Sequence, residues 1–367
     1  MKVSGVSTVA QLADFDEAGF CETAFDEIID VRSPSEFAED HIPGAINCPV
    51  LDDEERAQVG TIYKQVSPFD AKKIGAAIVS RNIARHLEQR FLDRPRDWRP
   101  LVYCWRGGKR SGAMTHILNQ VGWRARQLEG GYKAYRHTVL AALAVLPQQF
   151  QWRVVCGLTG SGKSRLLQAL RKTGVQVLDL EEIACHRGSV LGNMPDTPQP
   201  SQKYFDSLVF AELRKFNPAK PVYIESESKK IGDLRVPQAM IDAMWNSDCI
   251  RLEAALTSRV QLLREEYAHF LADPLSLHAK LDCLTGLHGN EVIAHWKALA
   301  SQQQWGNLVE ELLVKHYDPA YTRSTLKHYA RYDKGLILQA SNLDETATPH
   351  LVSKAISWNP ESAITRS

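Results

Sequence analysis

Two stretches of this 367-residue chain carry residue types at spacings that could do chemistry. The first is Val102–Ser111, VYCWRGGKRS. An apolar strand pattern runs into Cys104, a tight loop holds Gly107 and Gly108, and a helix start follows at Arg110 and Ser111. Glycines let successive backbone N–H groups turn inward, and such a nest backed by a helix N-terminus holds an anion. Arg106, Lys109 and Arg110 add positive charge. That field favours thiolate over thiol, so Cys104 is the expected nucleophile. The plainer alternative is a buried cysteine at a strand end. Two glycines and three cations within the six residues after Cys104 weigh against it.

The second stretch is GLTGSGKS, Gly157 to Ser164, which fits G-x-x-x-x-G-K-[ST]. It follows the strand pattern Trp152–Cys156 and precedes a helical pattern from Arg165 to Lys172, the context this motif requires. The backbone of Gly157, Gly160, Ser161 and Gly162 would cradle phosphate, Lys163 would neutralise it, and the Ser164 hydroxyl could hold Mg²⁺. The alternative is a Gly-rich helix entry with an exposed lysine. A third strand, from Val222, ends in Glu225-Ser226-Glu227 where an Asp is usual. Glu225, Glu227 and Asp179, after the second strand, are candidate supporting acids, each weighed against a structural or solvent-facing role. No resident metal is expected. His269, His278, His288 and His295 lack ligand spacing, and the seven cysteines contain no CxxC pair.

The elements that must position these residues alternate between strand and helix. Asp26–Val31 reads as a buried strand. Ser33 then caps a helix with Pro34 in its first turn and Glu36 closing a capping box. His41-Ile42-Pro43-Gly44 is a turn before a strand over Ala45–Val50. A long helical pattern covers Ala71–Phe91, followed by strand Leu101–Cys104, helix Gly112–Val121, strand Ala125–Leu128 and helix Tyr132–Leu146. The second half gives strands at Trp152–Cys156, Val175–Leu180, Val222–Glu225, Cys249–Leu252 and Gly335–Ala340. Pro195–Gln202 reads as a loop, Ser258–Phe270 as a charged helix, residues 272–331 as largely helical, and Thr348–Ile356 as a closing helix. This alternation predicts α/β architecture with parallel sheets. Two domains are expected, residues 1–145 around the Cys104 loop and residues 150–367 around the P-loop with helical additions.

Hydrophobic residues make up 44% of the chain and charged residues 24%, enough for ordinary cores. No apolar run approaches the roughly 18 residues of a membrane span. The N-terminus turns acidic without a signal-peptide core, and scattered cysteines suit a reducing cytoplasm. The net charge of +1 hides an asymmetry. Residues 1–60 carry three Lys/Arg against fourteen Asp/Glu, and residues 81–136 carry thirteen against four. Basic charge around the reactive loop suits a polyanion such as nucleic acid. Arg81, Arg85 and Arg90 fall at helical spacing, so a merely solvated face accounts for them equally well.

Asp30-Val31-Arg32, Glu36-Phe37 and His41-Ile42-Pro43-Gly44-Ala45-Ile46-Asn47, with a cysteine loop some sixty residues on, resemble the rhodanese family. That resemblance implies a rhodanese-like parallel-sheet domain followed by a P-loop NTPase-like one. It departs in having five residues between Cys104 and Arg110, the C-x5-R spacing of cysteine phosphatases, which suits a larger, tetrahedral anion. With YCWRGGKRSG, EGGYKAYR (Glu129–Arg136), GLTGSGKS, IESESKKIG (Ile224–Gly232), VGTIYKQVSPFDAKKIG (Val59–Gly75) and HYDPAY (His316–Tyr321), nearly the whole chain resembles the tRNA 2-selenouridine synthase family. The resemblance implies a transferase acting on wobble 2-thiouridine of tRNA. Its sulfur is geranylated from geranyl diphosphate, and the geranylthio group is then replaced by selenium from selenophosphate. Cys104 matches the catalytic cysteine, and a selenophosphate-supplying enzyme is the implied partner. The rivals are a C-x5-R phosphatase or sulfurtransferase fused to a P-loop ATPase, and a nucleic-acid-binding module on a vestigial rhodanese fold.

Overall fold

In a computed structural model, the structure describes residues 9–10, 25–189, 192, 197–267, 274–340 and 348–360. The chain forms two compact units. The first takes in residues 1–142 and 201–215, the second residues 143–200 and 216–367.

In the first unit, β1 (Val9–Ala10), β2 (Glu27–Asp30), β3 (Ile46–Asn47), β4 (Pro100–Tyr103) and β5 (Arg126–Leu128) form a sheet in the order β1-β5-β4-β2-β3, every pairing parallel. The core packs Ile29, Val31, Val102, Met114 and Leu118 around the central strands. Helices interleave with these strands: α1 (Pro34–Glu39), α2 (Asp53–Gln65), α3 (Pro68–His86), α4 (Lys109–Val121) and α5 (Gly131–Leu143). The capping box expected at α1 is present, with the Ser33 amide donating to Glu36 at 3.2 Å. Sequence periodicity predicts one helix where the structure has two. Asp52 caps α2 by accepting from the Glu55 amide, and Ser67 caps α3 ahead of Pro68. The strand expected over Ala45–Val50 pairs only at Ile46 and Asn47.

In the second unit, β6 (Trp152–Cys156), β7 (Gln176–Leu178), β8 (Val222–Glu225), β11 (Asp248–Ala254) and β12 (Leu336–Ala340) form another all-parallel sheet, ordered β12-β11-β6-β8-β7. The strands β9 (Lys230–Ile231) and β10 (Leu234–Arg235) make a small antiparallel hairpin. The helices α6 (Lys163–Lys172) and α7 (Leu180–Ala184) follow β6 and β7. Val155, Leu166, Leu170, Ile250 and Leu338 belong to one core. A second apolar cluster, with Leu281, Trp296 and Leu312, belongs to the later helices.

Among the helices not anticipated from sequence is α8 (Gln202–Lys215), which falls between β7 and β8 in the chain but groups with the first unit. Its Asp206 binds Arg136, whose guanidinium also donates to the Lys203 carbonyl at 2.9 Å. Tyr204 stacks on His41 at 4.2 Å, and His41 stacks on Phe37 at 3.8 Å. Phe37, His41 and Arg136, which in sequence belong to the motifs that carry the resemblance, therefore hold α8.

Candidate functional site

The Cys104 loop lies at the C-terminal end of β4, where ligands bind in open parallel sheets. β4 is buried throughout, and Cys104 is 3% exposed. The Gly108 amide donates to Cys104 Sγ at 3.2 Å and the Ser111 hydroxyl at 3.1 Å. Gln127 Nε2 in turn donates to Ser111 Oγ at 2.9 Å, fixing that hydroxyl. The amides of Arg106 and Gly107 make no hydrogen bond among the described residues and are available to a ligand.

The loop is held from behind by EGGYKAYR. The Tyr132 amide donates to the Cys104 carbonyl and the Lys133 amide to the Trp105 carbonyl, both at 2.9 Å. This closeness dictates two glycines. Gly107 has φ +62°, and a Cβ there would lie 2.6 Å from the Leu128 carbonyl oxygen. A Cβ on Gly131, φ +57°, would lie 2.2 Å from the Cys104 carbonyl oxygen. A side chain at either position strains the backbone and collides with it.

Arg106 and Lys109 are exposed at the loop and form no ion pair among the described residues. Arg110 is different. Its guanidinium donates to Glu36 at 2.9 Å, and Arg56 also reaches Glu36 at 3.0 Å. Burial pushes the Glu36 carboxyl up, but Arg110, the Ser33 amide and Arg56 hold it below the ordinary carboxylate range. The charge of Arg110 is therefore largely spent on Glu36. Beneath the loop, Asp30 and Arg32 form a fully buried pair at 2.6 Å, and the Arg32 guanidinium lies 3.9 Å from the Tyr132 ring centroid. Tyr132 Oη donates to Asp40 at 2.7 Å. The D-V-R signature thus braces the Cys104 loop through Tyr132.

The second site is built on the turn from β6 into α6. Lys163 Nζ donates to the Gly157 carbonyl at 2.8 Å and lies 3.4 Å from Glu225. Ser164 Oγ donates to Glu225 at 3.0 Å. The amides of Gly160, Gly162 and Lys163 make no hydrogen bond among the described residues, so the nest is free for an anion. The Gly157 amide donates to Tyr321 Oη at 2.7 Å, and Arg259 donates to the Thr159 carbonyl at 2.9 Å while binding Asp318 at 3.0 Å. HYDPAY is therefore a clamp on the P-loop. Tyr321 was picked out from sequence only as the end of HYDPAY, and Arg259 not at all; neither contact with the loop was legible, because each residue lies a hundred residues or more beyond it.

The expected acids separate. Asp179 caps α7 by accepting from the Glu182 amide at 3.0 Å, a structural task, although it also lines the cavity. Glu225 and Glu227 face the P-loop and are joined there by Glu181, which sequence reasoning missed. One oxygen from each lies within 4.8 Å of the other two. Burial, then the Glu225 and Glu227 charges, push the Glu181 carboxyl up to about 10, and burial pushes Glu227 well above the usual carboxylate range. These groups surround a cavity of about 630 Å³ that also takes in Lys163, Ser164, Arg187 and Tyr321. A narrow apolar recess of about 60 Å³, with Trp305, Leu308, Leu312 and Leu313, shares Thr159, Ser189, Leu263, Tyr267 and Tyr317 with that cavity. Of the four histidines set aside, His288 bonds His316 and His295 bonds Glu311, while His278 is near Ser301 and His269 lies outside the described residues.

Comparison with known proteins matches residues 10–138 to the rhodanese-like domain model and residues 150–280 to the tRNA 2-selenouridine synthase AAA domain model. The chain is 38% identical over 244 residues to the tRNA 2-selenouridine synthase of Nitrosomonas europaea, covering 65% of this chain and 63% of that protein. It is 32% identical over 329 residues to that of Shewanella halifaxensis, covering 80% and 87%. It is 30% identical over 373 residues to that of Bdellovibrio bacteriovorus, covering 88% and 95%.

Proposed function

Because the chain belongs to the tRNA 2-selenouridine synthase family, we propose that it converts wobble 2-thiouridine of tRNA to 2-selenouridine in two steps. In the first, the sulfur attacks C1 of geranyl diphosphate, the S–C bond forms, the C–O bond breaks and diphosphate leaves. In the second, the selenium of selenophosphate attacks C2 of the pyrimidine, the C2–Se bond forms, the C2–S bond breaks and geranylthiolate leaves. Cys104 Sγ then takes the phosphoryl group from selenium, and water releases it as phosphate. An enzyme that makes selenophosphate must supply the second step. Action on tRNA with an unprotected thiol suits the cytoplasm, and among the described residues no helix is long and apolar enough to cross a membrane.

The observation that carries this reading is the seating of Cys104. Two donors reach its sulfur, and the Arg106 and Gly107 amides beside it have no hydrogen-bond partner among the described residues, the arrangement a tetrahedral anion would use. The P-loop serves the other step. A diphosphate fits its nest, and the recess beside it gives an apolar chain a place to begin, which a nucleoside would not need. The oxygens of Ser164 and Glu225 suit Mg²⁺, which when bound would neutralise diphosphate charge.

The test is mass analysis of nucleosides from 2-thiouridine tRNA incubated with geranyl diphosphate and then selenophosphate. Cys104→Ser is expected to retain S-geranylation at least in part and to yield no 2-selenouridine, the selenium that has displaced geranylthiolate remaining phosphorylated. Equal and complete loss of both steps in a folded Cys104→Ser chain would sink the division of labour. Phosphate release from an aryl phosphate that depends on Cys104 would favour the phosphatase.

A further inference from the structure

Outside both sites, α2 and α3 form a helical hairpin that the chemistry above leaves unused. No residue of α2 is buried, while α3 buries Ala71, Gly75, Ile78, Asn82 and Ile83. The helices meet closely at Gly75, where a Cβ would come within 3.3 Å of the Val59 side chain. From there to the turn at Val66 and Ser67, Ala71 is the one buried residue, so the hairpin ends in a solvated tip.

That tip is apolar in the wrong place for a free surface. Tyr63 is 53% exposed, Val66 73% and Phe69 67%. Exposed apolar groups gathered in one patch mark a surface that another molecule covers. Charge selects the molecule. The hairpin, residues 53–86, contains six cations, Arg56, Lys64, Lys72, Lys73, Arg81 and Arg85, against four acids, of which Asp53, Glu54 and Glu55 lie in the first turn of α2 and Asp70 alone lies near the tip; Arg56 and Arg81 are paired with Glu36 and Glu55. Lys73 is paired with Asp70 at 2.7 Å, whereas Lys64 and Lys72 form no ion pair among the described residues. Tyr63 and Phe69, whose ring carries the Lys73 ammonium 5.1 Å from its centroid, with the unpaired Lys64 and Lys72 near them in sequence, match a single nucleic-acid strand, whose bases stack while its phosphates are neutralised.

We propose that this tip, Tyr63 and Phe69 with Lys64 and Lys72, is a docking site for unpaired nucleotides of the RNA substrate. The proposal rests on the reading above only in taking RNA as substrate. A paired helix hides its base faces, so the tip distinguishes a loop from a stem.

The experiment measures binding of the full-length chain to an RNA stem-loop and to a blunt duplex of equal charge across a salt series. Tyr63→Ala with Phe69→Ala should weaken stem-loop binding about tenfold or more, leaving the log–log salt slope and duplex affinity unchanged. Tyr63→Phe with Phe69→Tyr should retain wild-type affinity, which separates stacking from misfolding. Lys64→Gln with Lys72→Gln should instead lower the slope by about one unit or more. Stem-loop affinity within twofold of wild type for the alanine pair overturns the docking site, as does equal weakening on stem-loop and duplex; the tip then meets protein. If the wild-type chain binds neither RNA, the RNA reading itself fails, and the two failures are told apart by that control.

Discussion

Glu181 shows how a neighbourhood sets what a carboxyl can do. It shares a buried corner with Glu225 and Glu227, and its proton is held up to about 10 against an ordinary 4.5. Below pH 4.5 the group is neutral both folded and unfolded. Between about 4.5 and 10 the unfolded chain gives up that proton and the folded chain keeps it, so stability falls as pH rises. Glu181→Gln removes the part of the dependence that Glu181 carries, while Glu227, also raised by burial, keeps its own. In thermal unfolding with a chelator present, the variant's melting temperature should approach the parent's near pH 5 and exceed it increasingly toward pH 9. A difference that stays constant across this range would show that the proton is not held there. The residue also marks a limit of sequence reading. Asp179 stands where an acid after the second strand is expected, but its carboxylate caps α7. The turn of that short helix brings the carboxylate two residues later toward Ser164, at 3.5 Å. Spacing alone does not say which of two nearby acids faces the loop.

At the scale of elements, what was legible was what the backbone itself dictates. β6 and β8 begin and end where their apolar runs do, and both anion loops follow strands as their glycines require. The hairpin and α8 were not legible as such. α2 is mostly polar and offers only the short apolar run Val59, Ile62 and Tyr63 to signal it, and α8 follows a Pro-rich loop inside the second half of the sequence. The basic stretch is now resolved into geometry. Arg81 reaches Glu55 at 3.5 Å, Arg90 donates to the Asn47 carbonyl at 3.2 Å, and Arg85 is exposed with no ion pair among the described residues. Charge reversal at all three should weaken tRNA binding and lower the log–log salt slope by about one unit for each phosphate no longer neutralised. Arg85→Glu alone should give the largest single change, because Arg81 is already partly neutralised. An unchanged slope in the triple variant would make this a solvated face. The result is independent of Tyr63 and Phe69, whose contribution is not ionic.

At the scale of the whole molecule, the chain carries two anion nests on two parallel sheets, each with its own brace, EGGYKAYR behind one and HYDPAY on the other. Two nests fit a reaction with two anionic donors, provided each nest serves one donor. Lys163 tests that assignment. It is buried against the Gly157 carbonyl and Glu225, so a bound diphosphate would meet a preformed cation rather than a mobile surface charge. Lys163→Ala removes a charge-assisted hydrogen bond worth on the order of 1.5–3 kcal/mol. Affinity for geranyl diphosphate should therefore fall roughly tenfold or more. Selenium transfer to tRNA already carrying the geranylthio group should change far less if, as proposed, it depends on Cys104, which Gly108 and Ser111 hold in the other unit. The two steps are measured separately on the same variant, one from 2-thiouridine tRNA and one from pre-geranylated tRNA. Failure of the second step with a normal first step would give the P-loop to selenophosphate or to a nucleotide. The free amides of the Cys104 loop would then be the place to look for the diphosphate.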